Sequence, residues 1–123
     1  KPTVLYESDG SLMFALPSLA TIRRLNLPIT IIVANNGGYA SMRSTQRNYF
    51  EGRYIGTGEG IPNLVRVAKE FGIEAGFMTG PNDLKLFEDT LINEEPLLID
   101  VCLQQNESLS PKYGPQMQIK AAA

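Results

Sequence analysis

Apolar runs alternate along the chain with stretches in which apolar residues recur every three or four positions. The near-continuous apolar runs predict buried strands, because a parallel strand that is covered on both faces shows little polar alternation. These strands are predicted at 3–7, 29–34, 73–79 and 96–103. Helices are predicted at 18–26, 62–71 and 84–92, a short helical turn at 12–16, a helix or irregular segment at 39–50, and a glycine-rich loop at 51–60.

The order of these elements predicts the fold class. A β-α-β-α-β-α-β order gives right-handed crossovers, and therefore an α/β fold with three α/β/α layers and a mostly parallel sheet. The first strand begins at Thr3 with no element ahead of it to cover the sheet, so we expect a fragment that is incomplete at the N-terminal side. We expect the domain to occupy 1–103 and a C-terminal tail to occupy 104–123.

Composition narrows the possible functions. The formal net charge is −2 and no apolar run reaches the length of a membrane span, so neither nucleic acid nor a membrane is an expected partner. Histidine is absent, so any metal would be a hard cation held by oxygen ligands. The single cysteine, Cys102, lies in an apolar run and is interpreted as an inert buried thiol; a reducing, cytoplasmic setting fits best.

Two predicted strands end in residues that suit a metal and a phosphate. The first runs into Ser8-Asp9-Gly10-Ser11, and the second into Asn35-Asn36-Gly37-Gly38. The carboxyl ends of neighbouring strands are where an open parallel sheet binds ligands. The amides at 35–36 would be costly at the end of a buried strand without hydrogen-bond partners. The pattern predicts a site for a divalent metal and a diphosphate.

Each residue type has a physical reason to be in such a site. Asp9 and Asn36 can give side-chain oxygens to Mg²⁺ or Ca²⁺, and Gly38 can give its carbonyl oxygen. Gly10 lets a phosphate approach the backbone, and the Ser11 hydroxyl and N–H can donate to it. Taken alone, the Asp9-Gly10-Ser11 turn is more typical of a helix cap, and the second strand end is what favours a site.

The two motifs together resemble the signature of thiamine diphosphate enzymes, in which Gly-Asp-Gly is followed some two dozen or more residues later by Asn-Asn. Asp9 and Asn36 are 27 positions apart, within that spacing. The surrounding sequence is similar to the acetolactate (acetohydroxyacid) synthase branch. The similar segments are 19–21, 27–28, 35–39, 46, 50–54, 62–73 and 110–112.

The resemblance implies a cofactor and its ligands. Thiamine diphosphate would be held through Mg²⁺ or Ca²⁺, with Asp9, Asn36 and Gly38 on the metal. The cofactor-binding residues would be Gly10, Ser11, Asn36, Gly38, Tyr39 and Met42. Met42 would lie near the thiazolium, and a position in the hydrophobic core is the alternative for this residue.

The resemblance also implies a reaction and partners. The full protein would decarboxylate a 2-keto acid and transfer the acyl carbanion to a carbonyl acceptor. The alternatives are a simple 2-keto acid decarboxylase or lyase, or a non-catalytic cofactor-binding subunit. No catalytic residue is expected in this chain, because the family's activating glutamate lies on a pyrimidine-binding domain of the same or the neighbouring subunit. We therefore expect a homodimer or homotetramer, and an inactive fragment; FAD is a further cofactor that the resemblance allows.

Three departures from the family pattern bear on this interpretation. Ser8 replaces the first glycine of the signature. Ser44-Thr45-Gln46 stands where acetolactate synthases commonly carry Gln-Trp-Gln, which puts the usual substrate in doubt. Gly37-Gly38 follows Asn36 in place of an acidic residue, and this is closer to the decarboxylases.

Overall fold

The predicted alternation of strands and helices is present in a computed structural model of the protein, which describes residues 1–57 and 60–103. The predicted tail, with the segment 110–112, lies outside the described residues. The elements in chain order are β1 (Thr3–Ser8), α1 (Asp9–Ala15), α2 (Ser18–Arg24), β2 (Ile29–Asn35), α3 (Ala40–Tyr49), α4 (Leu64–Glu70), β3 (Glu74–Met78), a 3₁₀ helix (Pro81–Phe87), α5 (Glu88–Ile92) and β4 (Leu97–Cys102).

The four described strands form one parallel sheet in the order β1-β2-β4-β3. The chain therefore passes from β2 to β3 across a gap that β4 later fills. The register aligns the ends of the strands, since Ser8 is paired with Ala34 and Asn35 with Cys102. The predicted parallel α/β fold is confirmed, and β2 lies inside the sheet between β1 and β4.

Side-chain alternation divides the sheet into two faces, as a period of two requires. One face carries Ile31, Val33 and Leu98 and is covered by α1, α2 and α4. The other carries Leu97 and Ile99 and is covered by Phe87 of the 3₁₀ helix. Helices on both faces make the three predicted layers. The buried core beneath α1, α2 and α4 consists of Leu12, Leu19, Ile22, Ile31, Val33, Leu64, Val65, Ala68, Ile73, Ala75 and Leu98.

The second face is covered unevenly. Val4 and Tyr6 on β1 are each 66% exposed, and Ile32 on β2 is only partly buried. The expectation that β2 is covered on both faces is therefore right for the side of Ile31 and wrong, within the described residues, for the side of Ile32. The apolar sequence of β2 alone did not distinguish these two situations.

The helix ends follow local capping chemistry. The first helix is longer than predicted because it begins at Asp9, with Ser8 as its N-cap. The helix α2 stops at Arg24, before the predicted 26, and Asn26 takes a left-handed φ of 44°. Leu25 lies three positions after Ile22, on the apolar side expected for a helix over 18–26, and is 54% exposed because it lies past the last helical turn.

The segment after β3 differs from its prediction. A single helix over 84–92 was expected, and the structure has a 3₁₀ helix followed by α5. Asp83 explains the early start, because its Oδ2 accepts the N–H groups of Thr79 at 2.8 Å and Gly80 at 3.2 Å. A single helix over 84–92 would place Leu84, Phe87 and Leu91 on one apolar side. Of these three residues only Phe87 is buried, while Leu84 and Leu91 are exposed.

The interpretation of Cys102 as a buried thiol is wrong, because this residue is exposed. It is the last residue of β4, and it lies past the part of the strand that the helices cover. Partial burial nonetheless raises the pKa of its thiol from the ordinary value, with a smaller contribution from the charge of Asp100. None of the helices in the described ranges is long and apolar enough to cross a membrane.

Gly76 is required by the packing of Phe87. A Cβ at Gly76 would lie 2.7 Å from two carbons of the Phe87 ring, whereas a Cβ at Gly80 would meet no atom within 4 Å. We expect Gly76→Ala to lower the free energy of unfolding by about 1–3 kcal/mol, as overpacking does. Gly80→Ala is the matched control and should leave that free energy unchanged or raise it. Urea denaturation of both variants tests this, and equal effects would contradict it.

Asp83 makes stability depend on pH. Hydrogen bonds from the N–H and hydroxyl of Thr79, and then from the N–H of Gly80, hold the pKa of Asp83 below its ordinary value. For a carboxyl with a lowered folded-state pKa, the stabilisation is complete above about pH 4, where the unfolded carboxyl is ionised, and is lost as the pH falls through the folded-state pKa. Asp83→Asn should therefore lower Tm more at pH 7 than at pH 2. Asp89→Asn, outside this network, is the control; a difference in Tm independent of pH would contradict the assignment.

Candidate functional site

The end of β1 places Asp9 beneath the edge of the sheet. Ser8 caps α1 by accepting the N–H of Ser11 at 3.3 Å, and Asp9, the first helical residue, is fully buried. Its Oδ1 accepts the N–H of Gly10 at 2.9 Å, and its Oδ2 accepts the N–H of Gly38 at 2.7 Å. The second bond connects the end of β1 to the turn that follows β2. The two strand ends singled out in the sequence therefore meet.

The turn after β2 is held by the side chain of Asn35. Its Oδ1 accepts the N–H of Gly37 at 3.1 Å, and its Nδ2 donates to Oδ2 of Asp100 at 3.0 Å. Gly37 and Gly38 have φ values of 79° and 138°, which lie in the left-handed region that favours glycine. The prediction that the amides of this strand end need partners is confirmed for Asn35.

Asp100 is a component of this network that the sequence interpretation missed. It lies on β4, is 1% exposed, and burial raises the pKa of its carboxyl. The charge of Asp9 raises that pKa further, while the hydrogen bond from Asn35 opposes both effects. The sequence did contain a signal for this contact, namely a single carboxylate inside the apolar run 97–103. Because burying an acid without a partner is costly, such a residue indicates a hydrogen-bond partner nearby.

A pocket of about 300 Å³ opens above the two strand ends, near the lower limit for small-molecule sites. Four of the residues predicted for the site line it: Ser11, Asn36, Gly38 and Tyr39. The remaining lining residues are Tyr6, Ser8, Ala34, Ala40, Ser41 and Leu103.

Three predicted residues do not line this pocket. Asp9 and Gly10 are buried next to it and contact its wall through Gly38 and Tyr39. Met42 is 51% exposed on α3, so the alternative that it belongs to the hydrophobic core of this chain is wrong. The structure thus brings six of the seven predicted site residues together at one edge of the sheet and leaves Met42 on the adjoining helix.

Gly10 is constrained by Tyr39. A Cβ at Gly10 would lie 2.8 Å from Cδ1 and Cε1 of the Tyr39 ring, so only glycine lets this ring pack on the first turn of α1. The ring also approaches Phe14, with centroids 6.4 Å apart and planes tilted by 55°. The absence of a side chain at Gly10 therefore fixes one wall of the pocket.

The segment after α3 is tied back to that helix. The carbonyl of Thr57, a buried residue, accepts the N–H of Tyr39 at 2.9 Å, and Gln46 makes two 3.0 Å bonds to the backbone of Ile55, one to its N–H and one to its carbonyl. The predicted glycine-rich loop is thus anchored over its described part, and residues 58–59 lie outside the described residues. The hydrogen bond to Thr57 holds the backbone of Tyr39, while Gly10 lies against its ring.

The donor set fits a hard cation with phosphate ligands. No group of three or more His, Cys, Asp or Glu residues suited to a metal occurs among residues 1–57 and 60–103. A cation here would instead combine one carboxylate, Asp9, with amide and backbone carbonyl oxygens, which suits Mg²⁺ that keeps water and phosphate ligands. Each oxygen of Asp9 has a lone pair left beyond the hydrogen bond that it accepts.

Known proteins are similar to this chain in sequence and in fold. A family model for the C-terminal TPP binding domain of thiamine pyrophosphate enzymes matches residues 1–101. The mitochondrial acetolactate synthase of Schizosaccharomyces pombe is 30% identical over 111 residues, which are 88% of this chain and 17% of that protein. The large subunit of acetolactate synthase isozyme 2 of Escherichia coli is 29% identical over 114 residues, 91% of this chain and 21% of that protein.

A solved structure of a thiamine diphosphate-dependent enzyme has the same fold as this chain over most of its length. The thiamine diphosphate-dependent 4-hydroxybenzoylformate decarboxylase of Rhodococcus jostii RHA1 superposes with a TM-score of 0.76 at 24% identity, over 88% of this chain and 21% of that one. This chain therefore spans only about a fifth of the length of the proteins that it matches.

The contact between Gly10 and Tyr39 can be tested by a double-mutant cycle. We expect Gly10→Ala to destabilise the protein by about 1–3 kcal/mol, because its Cβ overlaps the Tyr39 ring. In a Tyr39→Ala background the same change should be neutral or stabilising, because alanine is favoured over glycine inside a helix by about 1 kcal/mol. Urea denaturation of the single and double variants gives the coupling, and additive effects would contradict the contact.

Proposed function

Because the chain belongs to the thiamine pyrophosphate enzymes, as part of their C-terminal TPP binding domain, we propose that it holds the diphosphate of thiamine diphosphate through a divalent metal. We further propose that the full protein decarboxylates a 2-keto acid and transfers the acyl group to a carbonyl acceptor, as an acetolactate synthase. The single observation that carries the proposal is the bond of 2.7 Å between Gly38 N–H and Asp9 Oδ2. It joins the two sequence motifs at one pocket.

The proposed roles follow from the position of each group. Asp9 and Asn36 would give side-chain oxygens to Mg²⁺ or Ca²⁺, and Gly38 its carbonyl oxygen. Ser11 lines the pocket and would donate to a phosphate oxygen, with Gly10 beside it. Preorganised oxygens would hold the cation that neutralises the diphosphate, and preorganised donors would bind the phosphate oxygens without rearrangement of the protein.

The ring of Tyr39, which lines the pocket, has a separate proposed role. Tyr39, fixed between Gly10 and the carbonyl of Thr57, would lie along the cofactor and exclude water from one side of it. Met42 extends from α3 and would be the residue nearest the thiazolium. When bound, thiamine diphosphate supplies the electron sink for decarboxylation, and this chain supplies binding and orientation.

The remainder of the site is proposed to come from outside this chain. An activating glutamate would lie on a pyrimidine-binding domain of the same or the neighbouring subunit, in a homodimer or homotetramer. The chain alone would then bind the tail of the cofactor without catalysis. FAD as a second cofactor is part of the same proposal for the full protein.

Removing the proposed metal ligand tests the site. In the full-length protein, Asp9→Ala should weaken Mg²⁺-dependent binding of thiamine diphosphate by more than the roughly 10- to 100-fold that is typical of residues that only orient ligands. Asp9→Asn keeps the volume and one acceptor and should also bind weakly, because the negative charge is lost. Asp83→Ala, an acid far along the chain from the strand ends, is the matched control. Isothermal titration measures all three, and wild-type affinity in Asp9→Ala would overturn the ligand assignment.

The reaction is tested by product analysis of the full-length protein with pyruvate. Acetolactate is the expected product. Acetaldehyde would favour the simple decarboxylase, an alternative that Gly37-Gly38 after Asn36, the pattern closer to the decarboxylases, motivates. Cofactor binding without turnover of any 2-keto acid would favour the non-catalytic subunit.

A further inference from the structure

Asp100 is a buried carboxylate whose burial does not favour folding. It is 1% exposed on β4, pairs across the sheet with Val33, and follows Leu98 by two residues on the face that α1, α2 and α4 cover. Its Oδ1 is buried and has no hydrogen-bond partner among the described residues. A buried carboxylate with one unsatisfied oxygen is unfavourable for folding. The role of this residue must therefore lie in the hydrogen bond that its other oxygen, Oδ2, accepts.

That other oxygen holds Asn35. Oδ2 of Asp100 accepts Nδ2 of Asn35 at 3.0 Å, across 65 residues of sequence. The backbone carbonyl of Asn35 accepts the N–H of Leu103 at 2.8 Å, so the end of β2 is bonded to β4 through both main chain and side chain. The position of Asn35 is therefore set by β4.

The contact also fixes which way the Asn35 amide faces. An ionised carboxylate only accepts hydrogen bonds, so the NH₂ group of Asn35 must face Asp100. Its Oδ1 must then face the opposite way, where it accepts the N–H of Gly37 at 3.1 Å. An amide without Asp100 could turn over and present its NH₂ group to that N–H. Asp100 thus selects the amide orientation that closes the turn.

The turn held in this way carries two of the three proposed metal ligands, Asn36 and Gly38. On its other side the N–H of Gly38 donates to Asp9. Asp9 therefore restrains the turn from β1, and Asp100, through Asn35, restrains it from β4.

We propose that Asp100 is a positioning residue for the metal site, acting through Asn35 on the turn 35–38. This inference rests on the proposed function of the pocket. Asp100 acts by accepting a hydrogen bond at a fixed place, and its negative charge is not what the site needs. An asparagine at this position can present the same acceptor to Asn35, because the N–H of Gly37 still needs Oδ1 of Asn35 and so leaves its NH₂ group facing residue 100.

The experiment compares two substitutions of Asp100 in the full-length protein. Asp100→Leu removes the acceptor and should weaken Mg²⁺ binding at saturating thiamine diphosphate by about 10- to 100-fold, the range for residues that orient metal ligands. Asp100→Asn should bind Mg²⁺ within about threefold of wild type, a difference of at most about 0.65 kcal/mol. Leu98→Ala, a packing change on the same face of β4, is the matched control and should lower Tm without changing Mg²⁺ affinity.

A second measurement separates the positioning role from general destabilisation. Without metal or cofactor, hydrogen exchange in the peptide that spans 34–40 should be faster in Asp100→Leu than in wild type, and near wild type in Asp100→Asn. If Asp100→Leu does not fold, Asn35→Ala removes the same link from the half-buried end of the pair and should show both effects.

The outcomes are distinguishable. Wild-type protein that binds neither Mg²⁺ nor thiamine diphosphate overturns the proposed function. Wild-type binding that Asp100→Leu and Asn35→Ala both retain overturns the positioning role alone. Weak Mg²⁺ binding in Asp100→Asn, with unchanged exchange at 34–40, also overturns it, because the charge and not the hydrogen bond would then be what matters.

Discussion

The hydrogen bond between Gly38 N–H and Asp9 Oδ2 is the constraint on which the rest of the site depends. It joins two strand ends that are 29 residues apart in sequence, and both partners are buried. A buried carboxylate is tolerated when N–H groups satisfy it, and Asp9 accepts two of them. The same contact that makes the acid tolerable in the core therefore brings the turn 35–38 against the first helix, and the pocket forms where they meet.

The sequence was sufficient to identify the described strands and to predict that the two motifs meet at one edge of the sheet. Apolar runs identified every described strand to within a residue or two, because strands of parallel sheets typically consist of near-continuous apolar residues. The pair of motifs ending at Ser11 and Gly38 predicted one shared edge, and this followed from parallel topology alone. Even the departure at Ser8 has a local reason, since its hydroxyl caps α1.

The features that could not be predicted from the sequence depend on contacts between segments that are distant in the chain, or on where each element ends. The burial of Asp100 beside Asn35 requires β4 to lie next to β2, and no periodicity in the chain specifies that order. Gly10 was interpreted from its freedom to approach a ligand, whereas its neighbour in the structure is the Tyr39 ring. The exposure of Leu25 and Cys102 reflects where each element stops, and stop positions depend on caps and coverage more than on hydrophobic pattern.

The strand order also determines when, during folding, the turn 35–38 can acquire its final geometry. The strand β4 is the last in sequence among those described, yet it fills the gap between β2 and β3. Until it inserts, Asn35 lacks both the carboxylate and the backbone N–H that hold it. Long-range parallel pairing of this kind closes late, because loop closure costs entropy before any contact offsets it. A nascent chain that has not yet released residues 97–103 can therefore form β1 and β2 without the final geometry of the turn 35–38, so the pocket above the two strand ends is completed late in folding.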